Sequence, residues 1–574
     1  MIARRWVRVS LITAGLMLAL SGSASERASQ PSPLRPNGLT DQQWREDIDF
    51  LAKTVADKHR HPFDTVSRAD FDKAVAALRE RVPFLSDHEI IVGMAKLVAL
   101  LRDGHSRLTL PVSPSADTQS HTPTSAAKAG IVFHLLPLKL YLFSDGLYVQ
   151  AAAPERRELV GARVVRIGKM TAESALEAVR PAVHYDSEMW FKLLGPQFLG
   201  IPEILQACGV TESLGRTVMT LEKDGRTTAV DLDPLPPGPE PSWVVWSDIS
   251  GTPKPPYLKN REKPFWFEML PGRKAMYAQV NAVQDDQAET LAAFSARMVE
   301  TAKAQGAERI VLDLRLNGGG DNYLDRGLVL ALLGSERFNR YGHLYTLIGR
   351  NTFSAAVSLV SALERWTETI FVGEPTGNVP SQYGDSRRYP LPHSGLTVRL
   401  SSVYWRDLEV DERRPWVAPD ITVGLAWADH AAGRDPALEA ALAHKAPDAL
   451  LDQLKEKLKW GGLRAAASHY YKYRNAPATA AVRTEDTLLA LADFLMSEKR
   501  PAEAIQILRR AVDEYPESAP CNLALGSRLV EQGDGPGALE PLKKALSLKP
   551  GDPVAESWLK RAEQLAKAKK QVLT

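Results

Sequence analysis

RIVLDLRLNGGG, residues 309–320, is an apolar run of strand length that ends in Asn317 and three consecutive glycines, Gly318 to Gly320. Glycine at such a point lets the backbone turn at positive φ and leaves its N–H groups uncovered by a Cβ, so that a ligand oxygen can approach them. The chain continues through an expected helix, YLDRGLVLALLG (323–334), and a short strand, HLYTLIG (343–349), into RNTFSAAVSLVSALERW (350–366). There Phe353, Val357, Val360 and Leu363 recur at helical spacing, which sets Ser354 in the first turn of a helix that follows a strand. Free N–H groups and the positive end of the helix dipole gather at that turn. A backbone oxyanion site beside an exposed serine is the apparatus of acyl transfer. Each half also has a plainer use, the serine as a helix cap and the glycines as a turn or phosphate loop. The G-x-S-x-G elbow, the G-x-G-x-x-G loop and the Walker loop are all absent from the sequence.

LDLRLNGGG and NTFSAA, followed in order by IFVGEPTG (370–377) and APDITV (418–423), resemble the tail-specific or C-terminal processing serine peptidases, in particular their tricorn-core-like branch. The resemblance runs over residues 41 to 445. It implies an α/β fold with a ClpP/crotonase-like spiral core at 266–445, and a backbone oxyanion hole from Gly318 or Gly319 and Ala355 around Ser354. In LLRDGHSRLTL (100–110) His105 matches the D-G-H-[ST] motif with which many relatives supply the general base. Other relatives use a lysine in a G-x-T-x-G-K turn. Here that turn reads GEPTGNVPSQYGD (373–385), Asn378 stands where the lysine would, and no lysine occurs between Lys303 and Lys445. A histidine base is therefore expected, titrating near about 6 to 7. His343 and His393 match no family position.

A histidine base needs an acidic partner to fix its tautomer. The tricorn-like relatives place a glutamate before a P-D-[IV] motif, and in DLEVDERRPWVAPDITV (407–423) Glu412 is the candidate, with Asp411 or Glu409 as alternatives. The spacing departs from the family's Glu-x-x-Gly pattern, and acids in such a loop are commonly paired with neighbours, here Arg413 and Arg414.

With 574 residues, 44% apolar and 24% charged, the chain has room for several folded domains. Its 71 Lys and Arg balance 69 Asp and Glu, so no global field draws it to nucleic acid. Arg4, Arg5 and Arg8, the apolar run LITAGLMLAL and the small residues SGSAS have the layout of a signal peptide over 1–24, cut after Ala24. The expected product is periplasmic or secreted and not an integral membrane protein. Cys208 and Cys521 are the only cysteines, too few for a thiolate metal cluster and far apart for a disulfide. Neither a cofactor nor a metal is expected.

Residues 41–110 carry apolar residues at three and four spacing and read as a helical region. Residues 128–235 read as strands and turns, and within them Leu159 to Ile167 resemble a degenerate PDZ domain that lacks the glycine-rich carboxylate loop. A Pro-rich stretch, 236–265, reads as a linker or surface arm. Strands and helices then alternate to about residue 425, as in β-α-β units. A helical connector, 446–480, leads to 485–570, where Ala504, Ala511 and Pro516 recur as Ala538, Ala545 and Pro550, each 34 residues on. That period resembles tetratricopeptide repeats, an all-α solenoid that either binds a protein partner in its groove or packs on the core. A chain ended near Pro477 is expected to fold and keep its reactive serine. Two function classes follow: an exported serine peptidase acting on a peptide or protein substrate, and a catalytically inactive secreted peptide-binding scaffold of the same fold.

Overall fold

The structure, a computed structural model, describes residues 39–113, 131–407 and 412–573. The signal segment, Glu409 and Asp411 lie outside the described residues. Two-residue strands, other than the one that closes the core sheet, and single-turn helices are left unlabelled below.

Three helices open the chain: α1 (Asp41–Lys58), α2 (Arg68–Arg81) and α3 (Asp87–Ala99). Thr40 starts α1 with a capping box closed by Gln43, and Ser86 starts α3 with one closed by Glu89. Trp44, Ile48, Leu51 and Val55 of α1 and Ile90, Ile91 and Met94 of α3 are buried in one core, and the Trp44 indole donates to Asp87 at 2.8 Å. Three residues past α3 the chain turns at Asp103 and Gly104 and enters strand β1 (Arg107–Thr109).

The next unit is an antiparallel sheet of β2 (Leu138–Phe143), β3 (Gly146–Ala152), β4 (Arg163–Ile167), β5 (Thr217–Lys223) and β6 (Arg226–Leu232). Between β4 and β5 run α4 (Ala172–Val179), α5 (Glu188–Phe198) and α6 (Pro202–Ala207), more helix than the strand-and-turn reading expects. Helix α5 runs through Gly195 and Pro196. The ring sits in the last turn, and the Lys192 carbonyl that loses its N–H partner faces the Arg350 guanidinium at 3.5 Å. The Pro-rich stretch is packed as well as connecting. Val244 and Val245 pair with Ala152 and Ala151, the Trp246 indole donates to the Ala431 carbonyl at 2.9 Å, and Tyr257 is buried.

The core sheet has the order β7-β8-β9-β10-β11-β14, from β7 (Phe265–Met269), β8 (Ala275–Val280), β9 (Arg309–Asp313), β10 (Leu344–Ile348), β11 (Ile370–Gly373) and β14 (Ile421–Thr422). Only the β7–β8 pair is antiparallel. The four central strands are buried almost throughout, as a sheet covered on both faces requires. On one face Met276, Ala278, Ile310, Leu312 and Leu344 share a core with α7 (Leu291–Ala304), α8 (Asp325–Leu333) and α9 (Ala355–Trp366). On the other, Tyr277, Val311, Tyr345 and Val372 share one with α10 (Pro436–Ala443). A long hairpin, β12 (Ser381–Pro390) and β13 (Thr397–Arg406), leaves the sheet after β11, and β1 pairs with β13 through Arg107 to Thr109.

The remainder is helical: α11 (Leu450–Asn475), then the pairs α12 (Glu485–Ser497) with α13 (Pro501–Glu514) and α14 (Ala519–Glu531) with α15 (Gly535–Leu548), closed by α16 (Pro553–Leu573). Ala504, Ala511, Ala538 and Ala545 are buried where the helices meet, and a Cβ on Gly526 would stand 2.4 Å from Leu542. The connector α11 shares this core through Leu450, Leu454, Leu458 and Tyr470. No described helix is long and apolar enough to cross a membrane.

Candidate active site

The loops that follow β9 and β10 are laced together. Thr352 Oγ1 donates to the Leu314 carbonyl at 2.8 Å, Asn351 Nδ2 to the Leu316 carbonyl at 3.1 Å, and the Phe353 N–H to the Asn317 carbonyl at 3.1 Å. The lacing sets the glycine run against the serine. At Gly319, φ is +113°, and a Cβ there would stand 2.7 Å from Ser354 Cβ and 3.2 Å from the Ala355 nitrogen. At Gly320, φ is +141°, and a Cβ would meet the Val283 carbonyl oxygen at 2.2 Å. Both positions require glycine.

Ser354 is the N-cap of α9 with φ +56° and ψ −129°. For a residue with a Cβ this is a sparsely populated conformation that costs about 1–3 kcal/mol and persists where its surroundings fix it. Two side chains do so: the Ser354 N–H donates to Asn378 Oδ1 at 2.9 Å, and Gln382 Nε2 donates to the Ser354 carbonyl at 2.9 Å. The sharp strand-to-helix turn is thus built here without the G-x-S-x-G signature.

The oxyanion donors named from the sequence sort themselves by use. The Gly319 N–H donates to Asn317 Oδ1 at 2.9 Å. Among the described residues the Gly318 and Ala355 N–H groups donate to no protein acceptor, and the space in front of Gly318 is open. That leaves Gly318 and Ala355 as the available pair.

His105 reaches the same place because β1 fastens the turn before it to the hairpin of the core. Its ring packs on Phe353, centroids 4.5 Å apart, and Trp190 stacks on Phe353 at 3.8 Å. Both ring nitrogens are buried and have no hydrogen-bond partner. Burial pushes the imidazole down to about 4, against the pull of Asp103 and Asp385 and with the push of Arg107 and Arg399. The value lies below the expected range because the sequence pattern does not report how dry the ring is. Asp103 Oδ1 accepts the backbone N–H of His105 at 2.8 Å, and its Oδ2 accepts from His59 at 3.1 Å and from the Ser106 hydroxyl. Burial alone would raise this carboxyl, but those bonds and the nearby imidazoles hold it down at about 2. A fixed negative charge therefore stands beside His105 with its oxygens already engaged.

Glu412 does not join this group. Its carboxylate is held by Arg414 at 3.1 Å and Arg464 at 2.8 Å, and Arg414 in turn grips Glu364 of α9 through two bonds of 2.7 Å. The two arginines win it because they offer charged donors at contact distance, one of them two residues away. The two other histidines weighed from the sequence are likewise occupied. His343 Nδ1 lies 2.7 Å from the Glu308 carbonyl, and His393 Nε2 lies 2.6 Å from Glu46.

Two residues to which the sequence assigned no role enter instead. Asn378 fills the place of the lysine with an amide that accepts from Ser354 and donates to Asp186 Oδ2. Asp186 Oδ1 is buried without a partner, 3.4 Å from where a Cβ on Gly104 would stand. Burial and the charge of Asp103 push the Asp186 carboxyl well above its ordinary value. Other buried polar atoms without partners, Trp190 Nε1, Asn317 Nδ2 and Gln382 Oε1, lie on residues that touch this same group. Polar atoms so left commonly mark where water or substrate is received. Among the described residues no group of His, Cys, Asp and Glu is placed to hold a metal ion, and Cys208 and Cys521 are free thiols.

A tetratricopeptide-repeat family model matches residues 495–557, and no curated protein matches the chain. Solved structures similar to it include mature CPAF complexed with lactacystin, 12% identical over 68% of this chain and 96% of that one, with a TM-score of 0.49. The photosystem II D1 C-terminal processing protease is 15% identical over 69% and 98%, TM-score 0.33. Tricorn protease is 13% identical over 70% and 36%, TM-score 0.30.

Proposed function

We propose that this chain is a serine peptidase that hydrolyses peptide bonds with Ser354 as nucleophile and His105 as general base. The observation that carries the reading is Ser354 itself, held at φ +56° at the head of α9 against Gly319, with the neighbouring Gly318 and Ala355 N–H groups free of protein acceptors among the described residues. In the reaction Ser354 Oγ attacks the scissile carbonyl while its proton passes to a ring nitrogen of His105. The oxygen that becomes negative is received by the N–H groups of Gly318 and Ala355. His105 then gives the proton to the departing amine, and water repeats the sequence on the acyl-enzyme. The charge of Asp103 favours the imidazolium formed in between. A side-chain rotation of His105 from its stack on Phe353 towards Ser354 Oγ precedes the first step, since the ring nitrogens rest without partners. Mass-spectrometric mapping of the fragments made from a denatured protein mixture tests the activity. Fragments should appear with the wild-type chain and not with Ser354→Ala. Equal cleavage by both would refute the reading.

The chain is read as exported, on the strength of Arg4, Arg5, Arg8 and the apolar run behind them. N-terminal sequencing of protein from periplasm or medium should find Ser25 first. Met1 on the recovered protein would contradict export by cleavage.

A further inference from the structure

Asn378 belongs to a turn that is gripped from outside the core sheet. The segment 186–190, which leads into α5, sends the Ser187 hydroxyl to the Gly377 carbonyl, lays the Trp190 ring 3.0 Å from where a Cβ on Gly377 would stand, and brings Asp186 Oδ2 to Asn378 Nδ2. Asn378 is fully buried, so its amide has no water with which to trade partners.

Donor and acceptor bookkeeping fixes what this chain of bonds does. The Ser354 N–H can only donate, so the amide must turn its oxygen towards Ser354 and its nitrogen away. That nitrogen carries donors only and needs an acceptor in a buried place, which Asp186 Oδ2 provides. If Asp186 offered no acceptor, only the Ser354 N–H would favour this orientation, and the amide nitrogen would be left buried without a partner, so the amide would be held less firmly. The flipped amide would set an N–H against an N–H. Ser354 would then lose one of the two side-chain bonds that hold its strained φ, and with them the direction of Oγ and of the Ala355 N–H.

We infer that Asp186 is a positioning residue for the nucleophile, acting through Asn378. The inference rests on the reading of Ser354 as the attacking group. It assigns Asp186 no proton and no contact with substrate. What the site requires at position 186 is an acceptor of the right length, which an amide oxygen also supplies.

The test uses the full mature chain and a fluorophosphonate probe, with inactivation rate constant and probe affinity measured separately for each variant. Asp186→Leu, nearly isosteric and without an acceptor, should slow inactivation by about 100-fold, the scale on which a small misplacement of reacting atoms is felt, with probe affinity changed no more than about threefold. Asp186→Asn should recover at least about tenfold of that loss, because its amide oxygen can take the same bond. Asn378→Leu should lose as much as Asp186→Leu, and the double Leu variant should be no worse than either single one, as two members of one relay behave. Unchanged labelling of Asp186→Leu would overturn the relay and leave the nucleophile standing. So would an Asp186→Asn variant as slow as the Leu variant, which would assign the carboxylate a charge effect on His105 instead. Failure of the wild-type chain to label would overturn the nucleophile and the relay together. If Asp186→Leu shows no cooperative melting, the Asn378→Leu and Asp186→Asn variants decide the matter by the same criteria.

Discussion

Ser354 and His105 carry different energetic burdens, and each gives a measurable consequence. Removing the proposed base, His105→Ala, should lower turnover by about two to four powers of ten with substrate binding nearly kept, and Asn378→Lys should not restore it. Because burial holds His105 at about 4, kcat/KM should rise with pH through an apparent value near there and be flat above about 5.5. The same shift acts on stability. His105 at about 4 and His184 at about 3, both lowered first by burial, bind fewer protons folded than unfolded below about 6.5. Their contribution is complete above that pH and is lost progressively as pH falls from about 6.5 to about 4 for His105 and to about 3 for His184, so Tm should drop between about pH 6.5 and 3 and drop less in His184→Phe. Asp186 has the opposite sign: raised when folded, it costs stability at neutral pH, and Asp186→Asn should melt higher than wild type at pH 7 but not below about pH 3.8. Gly319→Ala, forced to φ +113° against Ser354 Cβ, should lose about 1–3 kcal/mol and most of the activity. Ser354 and His105 were visible as candidates in the sequence because local strings mark them, a strand-glycine-helix pattern and D-G-H-S. Asp186 was not, since its segment has neither periodicity nor motif and its importance is a matter of which atoms it meets.

At the scale of elements, the sequence marks β9, β10, α8 and α9 well because each is a continuous apolar or periodic run, and glycines lie near the ends of the first three. It misses α5, which falls in a region read as strands and turns; this helix carries Pro196 in its last turn, where the Lys192 carbonyl meets a guanidinium from the loop after β10 that no local rule contains. The loop before β14 is the instructive case. Its acids and arginines lie side by side in sequence, and the resemblance favours Glu412 as a triad member whereas the charges favour an ion pair. In the fold the charges prevail, and Glu412 ties this loop to α9 through Arg414 and to α11 through Arg464. Glu412→Gln should therefore lower Tm, while its effect on turnover should be far smaller than that of His105→Ala. A thousandfold loss of turnover at unchanged Tm would return Glu412 to the catalytic group.

The whole molecule divides less cleanly than its motifs. The connector α11 buries Leu454, Leu458 and Tyr470 in the solenoid core, while Lys457 pairs with Asp420, Lys472 donates to the Thr367 carbonyl at 2.7 Å and His469 meets Glu368 at 2.8 Å on the catalytic side. A chain ended near Pro477 keeps the second set and strips the cover from the first. It should be less soluble than one that also replaces Leu454 and Leu458 by polar residues, with both still labelled at Ser354; loss of labelling in the soluble variant would make the solenoid part of the catalytic unit. The 34-residue period was plain in the sequence, whereas the sharing of α11 between two cores was not, because an amphipathic helix does not say which partner covers which face. The central claim, that Ser354 is activated by His105, is tested most directly by the rate at which a fluorophosphonate modifies the wild-type chain and the His105→Ala variant, with the modified residue identified by mass spectrometry. The account predicts modification at Ser354 alone in the wild type, rising with pH through about 4, and a variant slower by at least about 100-fold. Equal rates in the two chains, or modification at another serine, would contradict it.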